Sequence, residues 1–213
     1  MKAEYGLFLS AFTTLLALIN PLEALSVFLG LTADADEKRR RQIARRSCLY
    51  ALLMMFFFLA FGTVILKVFG VPLSMVRMAG GLILIKIGFQ LFSGPASALA
   101  PSSPGQGPAH VSFVPMAMPI MFGPGGIATI IGMTSLARQA SSEIAAFTAL
   151  AAAILATMAI TYLCLARAEH ILKHIGPQGV DAVTRIIGFF VATMGMALLV
   201  HGTLEAFHFA PAT

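Results

Sequence analysis

Six apolar stretches divide the chain, each long enough to cross a lipid bilayer. They run from Tyr5 to Leu31, Arg46 to Phe69, Leu73 to Phe92, Val111 to Leu136, Ile144 to Ala166 and Ala182 to Leu204. One helical crossing needs about 20 mostly apolar residues. Few folds accommodate such a chain, because in lipid every backbone polar group must find its partner within the protein. The pattern predicts an all-α membrane protein with six transmembrane helices. Composition agrees: 58% of the residues are hydrophobic and 11% charged, where soluble domains carry about 25% charged residues. The mean hydropathy is +0.89.

A net charge of +5 does not point to nucleic acid, because its basic residues gather at one place. Lys38, Arg39, Arg40, Arg41, Arg45 and Arg46 lie between the first two apolar segments. Lys and Arg mark cytoplasmic loops. With that loop inside and six crossings, both termini fall outside. Arg167, Lys173 and Arg185 then also fall inside. Asp34 and Asp36 are candidate N-caps for the second helix. The N-terminus carries only Lys2 before its apolar run, so it reads as a retained helix and not a signal peptide. Cys48 and Cys164 form no CxxC pair and have no zinc-type neighbours, so they read as small apolar fillers. Neither a metal nor a cofactor is expected, and nothing points to an enzyme.

The stretch from Gly94 to His110 is rich in Pro, Gly, Ser and Ala and has no Lys, Arg, Asp or Glu. It reads as a flexible cytoplasmic linker between two halves, residues 1–93 and 111–213, of one integrated membrane domain. The halves resemble each other. Asn20-Pro21, followed by Gly30 and Thr32, corresponds to Gly123-Pro124, followed by Gly132 and Thr134. GVPLSMVRMAGG corresponds to IGPQGVDAVTRIIG, each with an arginine (Arg77, Arg185) three residues before a glycine (Gly80, Gly188). Three crossings reverse the orientation of the second copy. The expected architecture is therefore two inverted three-helix repeats, a design of many secondary transporters.

The first and fourth helices are corresponding members, and both are interrupted. The first breaks at Asn20-Pro21. The fourth carries Pro115 and Pro119 and breaks in the run Gly123 to Gly126. A proline removes one backbone donor and frees a carbonyl one turn earlier. Broken helices at matching positions mark a substrate site near the midplane. The plain alternative is a packing kink. Candidate substrate-binding residues are Asn20, Pro21, Glu23, Gly123, Pro124, Gly125 and Thr129. Ser and Thr often bond only to their own helix, so Thr13, Thr14, Ser26 and Thr134 are weaker candidates.

Two ionisable residues lie within these segments. Glu23 sits about 13 Å and Lys86 about 9 Å from the cytoplasmic ends of their helices. Similar depth makes a Glu23–Lys86 pair the structural expectation. Glu23 is alternatively a proton carrier or a contact for a substrate amine; the plain alternative has Lys86 snorkelling to the surface and Glu23 facing a wet cytoplasmic vestibule. The glycines Gly80, Gly81, Gly88, Gly188 and Gly195 suit close helix packing. Arg77 and Arg185 read as anchors, and His201 and Glu205 as solvated.

Taken together, INPLEALS, RMAGGLILIKIGFQLF, VPMAMPIMFGPGGIATI and RIIGFFVATMGMALLVHG resemble the MarC family of integral membrane proteins over nearly the whole chain. That resemblance implies a six-helix inner-membrane protein similar to LysE-type exporters, and transport of a small solute such as a neutral amino acid. The family motif falls on Asn20, Pro21, Pro119, Gly123, Pro124 and Gly125. Glu23 departs from it, where a small or hydroxyl residue is expected, and so does Lys86, where an apolar one is expected. Two other classes compete, a membrane thiol–disulfide carrier and a non-transporting membrane scaffold. Membrane lipids, a small solute and further copies of the chain are the partners this reading allows; nucleic acid is not.

Overall fold

In the computed structural model, residues 2–33, 35–93, 112–138 and 140–207 are described. Eight helical elements make up the described residues, with no strand among them: α1 (Lys2–Ile19), α2 (Pro21–Leu31), α3 (Glu37–Val68), α4 (Leu73–Ser93), α5 (Ser112–Met121), α6 (Pro124–Arg138), α7 (Glu143–Ala166) and α8 (Ala168–Ala206). The linker from Gly94 to His110 and the candidate cap Asp34 lie outside the described residues.

Among the described residues, five stretches are long and apolar enough to span a membrane: Tyr5–Leu31, which joins α1 and α2, and the helices α3, α4, α7 and α8. The expected fourth segment instead consists of two shorter pieces, α5 and α6. Its irregularity has a local cause. Val114 (φ −120°, ψ 127°) and Met118 (φ −134°, ψ 125°) are extended inside α5, and each precedes a proline. A proline crowds the residue before it out of the helical region.

Two helices outrun their apolar segments. α3 begins at Glu37 and not near Arg46, because the Asp36 side chain accepts a hydrogen bond from the Arg39 amide at 3.1 Å. Its basic first turns therefore form helix beyond the apolar run. α8 begins at Ala168 and bends at Gly176, whose φ of 73° suits only glycine, just before Pro177. α7 is capped in the same manner as α3, the Ser142 hydroxyl accepting from the Ala145 amide.

The closest packing joins α4 and α8, which run antiparallel with their backbones in contact. A Cβ on Gly81 would stand 2.6 Å from the Gly195 carbonyl oxygen, and one on Gly195 2.7 Å from that of Gly81. A Cβ on Gly88 would stand 2.6 Å from the Gly188 carbonyl oxygen, and one on Gly202 2.9 Å from that of Ser74. Small residues let membrane helices approach this closely, so that dispersion between backbones contributes to association. Arginines clamp both ends. Arg77 pairs with Glu205, while Arg185 pairs with Asp181 at 2.9 Å and donates to the Phe92 carbonyl at 3.4 Å. Arg77 and Glu205 are thus partners across helices, and Glu205 is exposed, as expected.

Around this pair, α1 packs on α7, and α3 on α5, α6 and α7; α2 packs on α7 and α8, and α4 also on α6. Residues 2–93 and 112–207 therefore interlock around one core. That core includes Leu15, Leu25, Phe28, Met55, Phe122 and Ile154, all nearly inaccessible. Phe57, Phe61, Phe89 and Phe189 point outward, the arrangement of a chain whose surroundings are themselves apolar.

Candidate functional site

The break between α1 and α2 is a single residue. Asn20 adopts the left-handed conformation (φ 42°, ψ 74°), the one non-glycine residue among those described with positive φ. Its amide still closes α1 on the Leu16 carbonyl at 3.0 Å, and its own carbonyl starts α2 by accepting from Glu23 and Ala24 at 3.0 Å each. Pro21, first residue of α2, has no N–H to leave unpaired and disfavours a right-handed Asn20. Asparagine tolerates the left-handed region better than most residues.

The Asn20 side chain is 1% exposed. Its Nδ2 donates to Glu23 Oε2 at 3.3 Å, while its Oδ1 has no hydrogen-bond partner. Glu23 is half-buried. Most buried side-chain polar atoms have a partner, and each exception calls for an explanation.

The second break is built alike. Phe122 closes α5 on the Ala117 carbonyl at 3.0 Å, Gly123 lies outside either helix, and Pro124 opens α6, with the Ile127 amide bonded to the Gly123 carbonyl at 3.1 Å. The first amides of such a helix have no partner within it. Gly126 approaches the end of α1: a Cβ there would lie 3.3 Å from Leu18 Cδ2 and 2.7 Å from the Phe122 ring. The two breaks are therefore neighbours. Gly125 faces elsewhere, its Cβ position 2.6 Å from Leu84 of α4. One turn on, Thr129 is 3% exposed and its Oγ1 has no partner.

Other hydroxyls behave as the sequence suggests. Thr13, Thr32 and Thr134 each bond to a carbonyl four residues back. Ser26 does so more loosely, at 3.4 Å. Ser47 was not singled out, yet it is fully buried in α3 with an unpartnered Oγ. The signal lay in its spacing: it shares the inward stripe of Ala44, Ala51 and Met55.

The expected Glu23–Lys86 ion pair is not among the ion pairs of the described residues. Lys86 is exposed, and Glu23 takes its hydrogen bond from Asn20. Similar depth did not bring them together because α2 and α4 do not pack closely on each other: α2 packs on α7 and α8, and α4 on α8 and α6. Cys48 is buried in α3, Cys164 is half-buried in α7, and both thiols are free. Among the described residues no group of His, Cys, Asp and Glu could hold a metal ion.

The family model described as MarC family integral membrane protein matches residues 5–207. The chain belongs to the MarC family. A UPF0056 membrane protein of Methanocaldococcus jannaschii is 31% identical over 205 residues, covering 95% of this chain and 97% of that relative. The UPF0056 inner membrane protein MarC of Salmonella typhimurium is 30% identical over 201 residues, 90% of this chain and 91% of its own. The protein of the same name from Escherichia coli (strain ATCC 8739) is 31% identical over 202 residues, with the same coverage. No solved structure matches the chain. MarC membership makes it a multi-pass integral membrane protein of the inner membrane, in contact with lipid.

Proposed function

We propose that this MarC-family protein is a secondary transporter of a small solute, such as a neutral amino acid, held between the α1–α2 and α5–α6 breaks. One observation carries the reading. Two helix breaks touch, and two buried oxygens have no partner there, Asn20 Oδ1 in the first break and Thr129 Oγ1 in the helix that follows the second. Helix N-termini favour anions through their free amides and dipole. In this reading the first turns of α2 and α6 receive a solute carboxylate. Asn20 Oδ1 and Glu23 receive its ammonium, with Glu23 alternatively carrying a coupling proton. A zwitterion presents both charges and would satisfy both sets of groups.

The reading includes six crossings, with α1–α2 as the first and α5–α6 as the fourth, arranged as two inverted repeats. The packing supports it. Under that correspondence, α1–α2 on α7 matches α5–α6 on α3, and α4 on α6 matches α8 on α2. The α4–α8 pair maps onto itself, with Arg77 and Arg185 at equivalent ends. Alternating access then follows from rocking one half on the other around a fixed site.

A thermal-shift screen of the purified protein against amino acids and small metabolites tests the binding. A ligand present at about 100 times its Kd stabilises by about 2.7 kcal/mol. A stabilising neutral amino acid is the expected result. A screen in which no zwitterion stabilises the protein contradicts the assignment.

A further inference from the structure

The two faces of the molecule are not closed alike. At the basic face, the corner between α2 and α3 meets the corner between α7 and α8. Arg40 bridges them. Its guanidinium donates to the Thr32 carbonyl at 2.9 Å and the Ala33 carbonyl at 3.2 Å, both on the first corner. It also pairs with Glu169, on the second. Arg40 is mostly covered, at 18% side-chain exposure, while Glu169 is 71% exposed. Between the corners lies a cavity of about 180 Å³ lined in part by Phe28, Arg40, Arg41, Leu165 and Glu169. Its apolar liners Phe28 and Leu165 are almost inaccessible, and Phe28 stands two turns of α2 beyond Asn20.

Under the inverted correspondence, the equivalent corners on the opposite face are α6–α7 and α3–α4. There the ionic contact stays within one corner. Arg138 pairs with Glu143 at 3.7 Å, across the α6–α7 turn alone. Lys67, beside the α3–α4 corner, has no ion pair among the described residues. That face also carries an open groove of about 590 Å³ between α3 and α7, lined by Leu59, Glu143, Ile144, Phe147, Thr148 and Ala151. Leu59 also lines a small void with Leu15, Ile130 and Ile154 deeper in the core.

We propose that the Arg40–Glu169 pair is the latch of a gate at the basic face, with Phe28 and Leu165 as its apolar plug, and that this structure is the state with that gate shut. The proposal rests on the transporter reading and adds the device that separates its two access states. The latch ties a corner of the first half to a corner of the second, so rocking the halves apart at this face must break it. Because Glu169 is exposed, the tie is weak and salt-sensitive. A transport cycle needs such a bond, since a deeply buried pair would lock one state. Arg40 stays docked on its own corner through Thr32 and Ala33 when Glu169 leaves. Arg40 is thus the fixed side of the latch and Glu169 the moving side.

Cys48 reports on the gate, since it is buried in α3 near this face, where α3 packs on α7. The experiment uses purified full-length protein carrying Cys164→Ala, so that a maleimide reads Cys48 alone. Glu169→Gln should raise the alkylation rate about threefold. The same protein with Glu169 intact should show a comparable rise at about 1 M salt, where the Debye length is about 3 Å. A rate unmoved by both changes overturns the latch. Solute uptake into proteoliposomes, measured alongside, separates this from the transporter reading. Alkylation that responds while no solute is taken up supports the latch and counts against transport. Uptake with unresponsive alkylation supports transport and overturns the latch.

Discussion

Asn20 combines two properties that can be separated by substitution. Its backbone is left-handed and its side chain is an amide with one free oxygen. Glycine adopts that backbone without strain, while a residue with an ordinary Cβ pays about 1–2 kcal/mol. Asn20→Gly should therefore melt close to the parent protein, and Asn20→Ala several degrees lower. Both should lose the ligand-induced thermal shift, because neither offers the amide. A calorimetric scan with and without ligand checks the two effects together. At this scale the sequence was partly legible. Asn20 stood out because it precedes a proline inside an apolar segment. Ser47 did not, because a lone serine in an apolar stripe usually bonds back to its own helix. Nor was the partner of Glu23 readable: depth follows from counting residues, but the direction a side chain faces depends on neighbouring helices that counting does not reveal.

At the scale of elements, prolines and glycines were the most informative residues. Pro21 and Pro124 each open a helix after a break, as expected, because a proline suits a first helical turn and no later one. Val114 and Met118 follow the same logic one residue earlier. The glycines of α4 and α8 were expected to allow close packing, and they do so in antiparallel register. Gly88→Ala should be costly, because its Cβ would meet the Gly188 carbonyl at 2.6 Å. Overpacking of this kind costs about 1–3 kcal/mol, and here the obstacle is backbone that cannot rotate away. Gly132→Ala is the matched control, with nothing within 4 Å of the added Cβ. Thermal melts should show a clear loss for the first and none for the second. The start of α3 was legible in its candidate cap Asp36, whereas the length of α8 escaped the sequence for a different reason. Hydropathy registers where a helix is apolar, whereas capping by Asp36 and the turn at Gly176 decide where it begins and bends.

At the scale of the whole molecule, the proposed inverted likeness between the two halves gives the proposed site its meaning. In an inverted pair, corresponding corners lie on opposite faces, so a contact present at one and missing at its counterpart marks a conformational state. The basic cluster was read from the sequence as a topology signal, and Arg40 was one arginine among several. The latch proposed for it required knowing that the α7–α8 corner lies beside it, a contact between residues 129 positions apart. The same orientation makes a prediction of its own: reporter fusions at the N- and C-termini should both read as periplasmic; a cytoplasmic reading at one end alone would break the six-crossing topology, and at both ends would reverse the orientation. The central claim is that the paired breaks hold a solute in transit. The most direct test is uptake of labelled neutral amino acids into proteoliposomes, comparing the parent with Thr129→Val. That change removes an unpartnered buried hydroxyl, so it should leave the melting temperature equal or higher. If Thr129 binds the solute, uptake should nevertheless fall about tenfold. Uptake equal in the two proteins, or absent from the parent across the amino acids, would contradict the account.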